Sequence, residues 1–394
     1  MPRSPIILII AGEASGDLHA GNLVSALKTL RSDILFTGIG GANMRQAGVN
    51  TLHDISQMAV MGFVEVIRRY GFFRRVFNET VQLARDKRPD LVILVDYPGF
   101  NLRLAAVLHA MGIPVVYYIC PQVWAWHQSR IPGMARIIDR LITIFPFEAP
   151  HFAGTPLVVD YVGHPLVDIT RDDFAQPSPD FPWQGSPRLA LLPGSRRQEI
   201  ERILPSMTQA AMLLTASFPG LACIVAAPDE TIAGHIRDLL KRTSPLASRF
   251  AIVAGQTRQV VRTATAALVA SGTATLETAL MKCPMVITYR MAPLSFAFAK
   301  RVVQLDHIGM VNIIANRRIC PERIQSEATP TALASAVEPL LTDTPERRAM
   351  LEGFEHVRNL LGEGGASKRA ATIILDLLES RRAPTPPATS SRHG

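Results

Sequence analysis

A strand, a turn of small residues and a helix follow one another in the segment 266–280, AALVASGTATLETAL. Five of its first six residues are apolar without polar alternation, which predicts a strand buried on both faces. Ser271, Gly272 and Thr273 interrupt the run, and the residues from Ala274 onward favour a helix. A strand buried on both faces needs helices on each side of its sheet, so this pattern predicts an α/β fold with parallel strands.

The turn in this segment leaves N–H groups at the start of the helix without backbone partners. At the carboxyl edge of a parallel sheet, such groups bind anions such as a pyrophosphate. Glu277 lies four residues after Thr273 on the same helical face, where a carboxylate can accept hydrogen bonds from ribose hydroxyls. We therefore predict a nucleotide site at Ser271, Gly272, Thr273 and Glu277. The alternative is an ordinary strand–helix turn with a surface glutamate.

The same alternation of strands and helices recurs along the 394-residue chain, which is long for a single core and predicts two domains. The first is predicted over residues 1–168 and the second over 188–345. The segment 169–187 is rich in proline and polar residues and is predicted to link them. Residues 383–394 are predicted to form a disordered tail.

Composition excludes several classes of protein. No apolar run reaches the 18 or so residues of a membrane span, and the opening MPRSPIILIIAGE is too short in its apolar part for a signal peptide, so we expect a cytoplasmic protein. The four cysteines have neither disulfide nor metal spacing. The net charge of +8 indicates anionic partners. Nucleic acid is not predicted, because the chain has no recognised nucleic-acid-binding motif and no zinc pattern.

A second glycine turn, GEASGD, follows the predicted strand Ile6–Ile10. It is neither a Walker loop nor a dinucleotide fingerprint. Glu13, Ser15 and Asp17 crowd this turn, and we predict that they contact the acceptor or line the cleft. Asp17 has the alternative of capping the following helix.

The apolar strand Leu91–Val95 stops at Asp96, a position at which α/β sheets bind ligands. Partial burial there would raise the pKa of Asp96 towards that of a general base. Alternatively, Asp96 caps the turn that Pro98 and Gly99 shape. Asn101 belongs to the same segment and is predicted to lie on the acceptor side.

A loop containing CPQVWAWHQSR follows the predicted strand Val115–Ile119. Trp124 and His127 are predicted to form part of an acceptor pocket wall, and the alternative for both residues is a structural role.

The predicted second domain contains LLPGSRRQE, in which Ser195 and Gln198 match a capping box. Arg196 stands beside this helix start and can donate charge-assisted hydrogen bonds to a phosphate. The alternative is an arginine that faces solvent. Arg290 and Asn312, further along the chain, are predicted to join the donor site.

The segment 58–81 combines aromatic and basic residues at helical spacing. Its apolar stripe, which includes Tyr70, is predicted to pack in the core. The set Arg68, Phe72, Phe73 and Arg75 lies on or beside the opposite face and predicts a contact with anionic lipid. The alternative is a solvated basic face with a single exposed phenylalanine.

Several of these motifs in their order resemble the lipid-A-disaccharide synthase family of inverting glycosyltransferases: AGEASGD, AVMGFVEV, the Asp96 segment, PQVWAWHQSR, LLPGSR, SGTATLE, CPMVITYRM and the Asn312 segment. The resemblance implies a GT-B architecture, in which two Rossmann-like domains face each other across a cleft. Helices at about 346–381 would partly return to the first domain. The sequence departs from the family pattern at YPGF after Asp96, where APDF is expected.

The resemblance implies transfer from UDP-2,3-diacylglucosamine to 2,3-diacylglucosamine 1-phosphate, giving a β-1,6 disaccharide and UDP. The enzyme would act at the cytoplasmic face of the inner membrane of a Gram-negative bacterium. Asp96 aligns with the family's essential aspartate and Arg196 with its phosphate-site arginine. Glu13 and Asn312 align with an acidic turn residue and a polar cleft residue.

A single carboxylate at the sheet edge suits inversion by one displacement, which needs a base but no covalent intermediate. The chain contains no D-x-D motif, so neither a metal nor a cofactor is predicted. The alternatives are another GT-B enzyme, such as a UDP-GlcNAc 2-epimerase or a peptidoglycan glycosyltransferase, and a non-catalytic protein that binds nucleotide sugars or lipids. The sequence leaves the oligomeric state open.

Overall fold

The computed structural model describes residues 3–58, 70–126, 128–243, 247–292, 296 and 306–382. The chain divides into two compact units, one formed by Met1–Pro165 with Gly365–Gly394 and the other by Leu166–Gly364.

The strands of the described residues are β1 (Ile6–Ala11), β2 (Leu35–Gly40), β3 (Asn50–Asp54), β4 (Leu91–Val95), β5 (Val115–Tyr118), β6 (Arg140–Thr143), β7 (Val158–Tyr161), β8 (Arg188–Leu192), β9 (Ala222–Ala227), β10 (Phe250–Ala254), β11 (Ala266–Ala270), β12 (Met285–Tyr289) and β13 (Glu322–Ile324). All pairs are parallel. In the first unit the strand order is β3-β2-β1-β4-β5-β6-β7, and in the second it is β10-β9-β8-β11-β12-β13.

The described helices are α1 (Ala14–Leu30), α2 (Ala42–Gln46), α3 (Ile55–Met58), α4 (Tyr70–Lys87), α5 (Pro98–Ala110), α6 (Val123–Trp126), α7 (Ile131–Ile137), α8 (Leu166–Ala175), α9 (Arg197–Leu214), α10 (Glu230–Thr243), α11 (Thr257–Thr263), α12 (Thr273–Leu280), α13 (Met310–Ala315), α14 (Pro330–Val337), α15 (Pro345–Leu360) and α16 (Ala366–Arg382). Short 3₁₀ turns occupy Gln128–Arg130, Ala149–Phe152, Ala247–Arg249, Gln325–Glu327 and Glu338–Leu341.

Both sheets are covered by helices, as their apolar strands require. Leu91–Val95 and Ala266–Ala270 are buried along their whole length, which is the pattern of parallel strands with helices on each face. Each unit is therefore Rossmann-like, and the predicted α/β fold is confirmed.

The predicted linker, residues 169–187, begins inside a helix. The division between the units lies at Pro165 and Leu166, and α8 occupies Leu166–Ala175. Proline is absent from this part of the segment, so the helix continues until the proline-rich part begins.

Helix α16 belongs to the first unit and packs on α1. Its apolar face contributes Ala370, Ile374 and Leu378 to the same core cluster as Leu23 and Leu27 of α1. Helix α15, by contrast, belongs to the second unit. Only α16 of the predicted returning region, residues 346–381, therefore packs in the first unit.

Candidate active site

The strand order of the first unit brings two of the predicted residues to neighbouring strand ends. Strand β1 lies between β2 and β4, so the order of the strands reverses between β1 and β4. Glu13 follows β1 and Asp96 follows β4, and Ala11 pairs with Val95 at the ends of these strands. Open parallel sheets bind ligands beyond the carboxyl ends of their strands at such a reversal.

Asp96 and Tyr97 form a tight turn between β4 and α5, with φ angles of +45° and +50°. This left-handed conformation costs non-glycine residues of order 1 kcal/mol each, so surrounding contacts must hold it. The Tyr117 hydroxyl donates a hydrogen bond to the Asp96 carbonyl oxygen at 2.6 Å, and Asn101 Nδ2 donates to the same oxygen at 2.7 Å. These bonds fix the turn through its backbone.

The half-buried Asp96 carboxyl has a pKa suited to proton transfer. Burial, and secondarily the charge of Glu13, raises its pKa to about 6, although a hydrogen bond from the Tyr97 backbone N–H opposes the shift. A general base is most effective when its pKa lies near the working pH. Asp96 can therefore accept a proton near neutrality.

Gly12 leaves room for the Tyr97 ring beside the end of β1. The Tyr97 ring lies against this glycine so closely that a Cβ at position 12 would overlap the ring. Glu13, the next residue, is exposed at the N-terminus of α1, and Ser15 is exposed in its first turn. Both side chains remain accessible to a substrate.

Asp17 has a structural role, contrary to its prediction as an acceptor or cleft residue. It is 1% exposed, and its carboxylate accepts hydrogen bonds from the backbone N–H groups of Gly41, Asn43 and Met44 at 2.6–3.1 Å. Asn43 Nδ2 adds a further bond at 2.9 Å. Asp17 therefore caps α2, rather than its own helix.

Asn101 and Trp124, two more predicted acceptor residues, also lie in the interior. Asn101 is fully buried and donates to the carbonyl oxygens of Val95 and Asp96. Trp124 is 7% exposed and packs edge-on against the Phe147 ring, with centroids 4.8 Å apart. Asn101 therefore supports the Asp96 turn, and Trp124 packs in the interior. His127 lies outside the described residues.

Glu148 is a buried acid near this site that the sequence analysis missed. Its Oε2 accepts hydrogen bonds from the N–H groups of Ile144 and Phe145, just after β6. Burial raises the pKa of Glu148 to about 8, and the charge of Asp96 adds to the shift. Glu148 belongs to no sequence motif described above. It lies near Asp96 only in the folded chain, so the sequence alone does not indicate its role.

The second unit has the equivalent reversal between β8 and β11. Leu192 and Val269 pair near the ends of these strands, so the turn with Ser195 and Arg196 and the turn with Ser271 lie at neighbouring strand ends. Ser195 and Arg196 are exposed. Both predicted parts of the donor site therefore lie at the edge that binds ligands in this fold.

The predicted capping box at the start of α9 is wrong. Arg196 is the N-cap residue and makes no side-chain cap. The Ser195 N–H instead donates to Glu199 Oε2 at 3.3 Å. Glu199 lies against Gly194, where φ is +111° and a Cβ would overlap the carboxylate. The tertiary contact with Glu199 thus replaces the predicted Ser195–Gln198 pair.

The start of α12 presents exposed residues at the strand edge. Gly272, the N-cap, has a φ of +151°, and both Gly272 and Thr273 are exposed. The Ser271 hydroxyl donates to the carbonyl oxygen of Ile308 at 2.8 Å. Ser271 can still accept a hydrogen bond from a ligand, while Thr273 offers its backbone N–H and its hydroxyl.

Glu277 is held by an arginine and Arg290 by a neighbouring loop. Arg258 Nη1 lies 3.3 Å from Glu277 Oε1. Arg290 Nε donates to the carbonyl oxygen of Gln325 at 3.1 Å.

Asn312 is a structural residue, contrary to its prediction as a donor-site ligand. It is fully buried, its Oδ1 accepts from the N–H groups of Ile319 and Cys320, and its Nδ2 donates to Glu322 Oε1 at 2.8 Å. The same Glu322 oxygen accepts the Gly309 N–H at the start of α13. Asn312 has no capacity left for a nucleotide in this arrangement.

The predicted lipid-contact face is partly described. Phe72 and Phe73 are half-buried and pack against the core, with ring centroids 5.6 Å apart. Arg75 is exposed, and Arg68 lies outside the described residues. Tyr70, which was predicted to pack in the core, is 59% exposed. Phe72 is thus less exposed than the helical pattern alone indicates.

Among the described residues, no cluster of three or more histidine, cysteine, aspartate or glutamate side chains could hold a metal ion. None of the helices in the described ranges has the length and apolarity needed to cross a membrane.

A family model described as lipid-A-disaccharide synthetase matches residues 7–374. Among similar proteins, the lipid-A-disaccharide synthase of Geobacter metallireducens is 40% identical over 385 residues, covering 95% of this chain and 98% of the relative. The enzyme of the same name from Myxococcus xanthus is 39% identical over 393 residues, covering 97% and 100%.

Solved structures share the fold at low sequence identity. A UDP co-structure of MnaA from S. aureus has a TM-score of 0.65 at 13% identity and covers 95% of this chain and 97% of its own. The calicheamicin glycosyltransferase CalG4 has a TM-score of 0.58 at 16% identity, with 98% and 100% coverage. At these identities the likeness establishes the two-domain fold alone.

Proposed function

Because this chain belongs to the lipid-A-disaccharide synthetase family, we propose that it transfers diacylglucosamine from UDP-2,3-diacylglucosamine to 2,3-diacylglucosamine 1-phosphate. The products are the β-1,6-linked disaccharide 1-phosphate and UDP. One observation supports this assignment most directly. Asp96 lies at the strand reversal of the first unit, and burial together with the charge of Glu13 raises the pKa of its carboxyl group.

Asp96 acts as the general base in this proposal. Its carboxylate takes the proton of the acceptor 6-hydroxyl as that oxygen attacks the anomeric carbon of the donor, and the bond from this carbon to the UDP oxygen breaks. One displacement inverts the configuration and needs no covalent enzyme intermediate. Glu13 raises the pKa of the base and accepts hydrogen bonds from acceptor hydroxyls.

The second unit binds the donor. The N-terminal N–H groups of α9 and α12, together with Arg196 and Arg290, stabilise the charge of the departing UDP. Ser195, Ser271, Gly272 and Thr273 lie along the pyrophosphate, and Glu277 accepts hydrogen bonds from the ribose hydroxyls. Their position at the second strand reversal supports this assignment.

The enzyme acts as a peripheral protein on the cytoplasmic face of the inner membrane. Its acylated substrates are anchored in a bilayer at about 0.8 kcal/mol per buried CH₂ group. A net charge of +8 and the exposed Arg75 beside two half-buried phenylalanines support contact with anionic lipid.

An Asp96→Asn variant tests the mechanism. Turnover should fall by about 10²–10⁴ because the base is lost, while UDP affinity, measured by calorimetry, should be unchanged. Disaccharide formation from the two diacylated sugars is followed by thin-layer chromatography. Asp172→Asn, an exposed carboxylate in the other unit, is the matched control.

Thermal unfolding separates loss of the base from loss of the fold. Folding raises the pKa of Asp96 from 3.8 to about 6, so its contribution to stability falls as the pH rises through this window, by about 3 kcal/mol in total. At pH 8 the Asn variant should be at least as stable as the natural protein. A stable variant that keeps substantial turnover would exclude Asp96 as the base.

A further inference from the structure

Three charged side chains from three helices form a connected network in the second unit: Asp173 of α8, Arg258 of α11 and Glu277 of α12. Arg258 Nε lies 2.5 Å from Asp173 Oδ2, and Arg258 Nη1 lies 3.3 Å from Glu277 Oε1. The three side chains are only 14–24% exposed. Arg258 therefore bridges two carboxylates in a largely desolvated place, where charge-assisted hydrogen bonds are stronger than at the surface.

Asp173 is itself held by α11 at several points. Its second oxygen, Oδ1, accepts a hydrogen bond from Gln259 Nε2 at 3.0 Å. Arg262 Nη1 donates to the carbonyl oxygens of Asp173 and Gln176 at 2.7 and 2.9 Å. The carboxylate that anchors Arg258 is thus fixed by contacts outside the donor site.

We propose that Arg258, anchored by Asp173, is a positioning residue that orients the Glu277 carboxylate for the nucleotide ribose. This inference depends on the proposed function, because it takes Glu277 as the ribose ligand. The guanidinium holds Oε1, and within the described part of the chain Oε2 has no hydrogen-bond donor, so that oxygen is left for a ribose hydroxyl.

Two physical effects make this orientation matter. A planar guanidinium that binds two carboxylates fixes their angles, which a lysine ammonium would not. Burial raises the pKa of Glu277, and Arg258 opposes the shift. Without the arginine, the Glu277 side chain would rotate more freely, and its pKa would rise further. Each change makes Glu277 a weaker acceptor of hydrogen bonds from the ribose hydroxyls.

The competing explanation is that Arg258 touches the donor phosphates itself. A double-mutant cycle separates the two roles. If Arg258 acts through Glu277, then Arg258→Met adds little to the defect of Glu277→Gln. If Arg258 binds the nucleotide directly, the fold-losses of UDP affinity in the two single variants multiply in the double variant.

The experiment measures UDP affinity by calorimetry and the KM and kcat for the UDP-sugar donor in Arg258→Met, Arg258→Lys, Glu277→Gln and the Met/Gln double variant. Arg258→Met should weaken UDP binding and raise the donor KM about tenfold, with kcat within about twofold. Arg258→Lys should recover part of the loss. The double variant should bind UDP no more weakly than Glu277→Gln.

Lys282→Met is the matched control. It breaks an ion pair with Glu355 at 2.7 Å just beyond the other end of α12, where both side chains are about half exposed. The donor KM should not change in this variant. Thermal unfolding confirms that each variant is folded.

The outcomes distinguish this inference from the proposed function. An unchanged UDP affinity in Glu277→Gln would overturn the proposed ribose site. A loss of affinity in Glu277→Gln without any in Arg258→Met, or defects that multiply in the double variant, would overturn the positioning role alone.

Discussion

Acidic residues at the first strand reversal differ in their surroundings, and this difference divides their roles. Glu13 is exposed, Asp96 is half-buried, and Asp17 is buried with both oxygens bonded. Only Asp96 combines access with a pKa raised to about 6. The residue type is the same or similar at each position, and the surroundings make Asp96 the carboxylate best suited to act as a base.

The pH dependence of kcat/KM tests this pairing of carboxylates. Activity should rise with pH through about pH 6, as Asp96 loses its proton. Glu13→Gln removes a negative charge that raises the pKa of Asp96, so the rise should move to lower pH. The midpoint, not the maximal rate, is the measured quantity, and a midpoint that stays in place or moves upward would contradict the coupling.

Helix starts near the two strand reversals are capped by carboxylates that are distant in the sequence or belong to a later turn. Asp17 caps α2, Glu322 caps α13 and Glu199 binds the start of α9. The first two pairs are 24 and 13 residues apart. Local capping patterns therefore missed them, and one of them, Glu199, binds the loop of the candidate donor site that contains Ser195.

Removal of the α2 cap should be costly. Asp17→Ala leaves the N–H groups of Gly41 and Met44 unpaired in the interior, and we expect a loss of about 3 kcal/mol in the free energy of unfolding. Urea unfolding measures this, and Asp17→Asn should recover part of the loss. Glu13→Ala, at an exposed position, is the control and should change stability by less than about 0.5 kcal/mol. Equal stability of Asp17→Ala and the natural protein would refute the capping role.

At the scale of the whole molecule, the order of the elements along the chain does not match their division between the two units. The chain completes the sheet of the first unit, builds the whole second unit and then adds α16 to the first. Arg369 of α16 donates to the carbonyl oxygen of Val162 at 2.9 Å, across 207 residues of sequence. The apolar face of α16 explains this return, because it has α1 to pack against in the first unit.

The proposed contact of residues 68–75 with anionic lipid is tested with vesicles. The variant Arg68→Ser/Phe72→Ser/Arg75→Ser should cosediment much less with vesicles that contain anionic phospholipid. Loss of two positive charges costs about 2 kcal/mol near such a surface, and the lost aromatic contact adds to this. Arg237→Ser/Lys241→Ser removes the same charge from exposed positions of α10 and should sediment as the natural protein does. Equal sedimentation of both variants would reject the proposed face.

The sequence by itself determined the α/β class, the apolar strands and the turns that follow them. Leu91–Val95 and Ala266–Ala270 are marked by uninterrupted apolar residues, and burial on both faces requires that pattern. The strand β3 and the short β13 at the sheet edges were not predicted, because edge strands need less apolar sequence. Asp96 and Ser271 were predicted as site residues because each directly follows one of these uninterrupted apolar strands.

Only the tertiary structure decided which polar residues are free for chemistry. Asp17 and Asn312 carry suitable side chains, yet their hydrogen bonds are taken by groups that the fold brings to them, and Asn101 is fully buried. The proximity of Glu148 to Asp96 and of Arg258 to Glu277 is evident only in the tertiary structure, because it brings together elements from separate parts of the chain. Hydrogen-bond satisfaction and electrostatic coupling depend on distances in space, and the linear pattern of residues does not contain those distances.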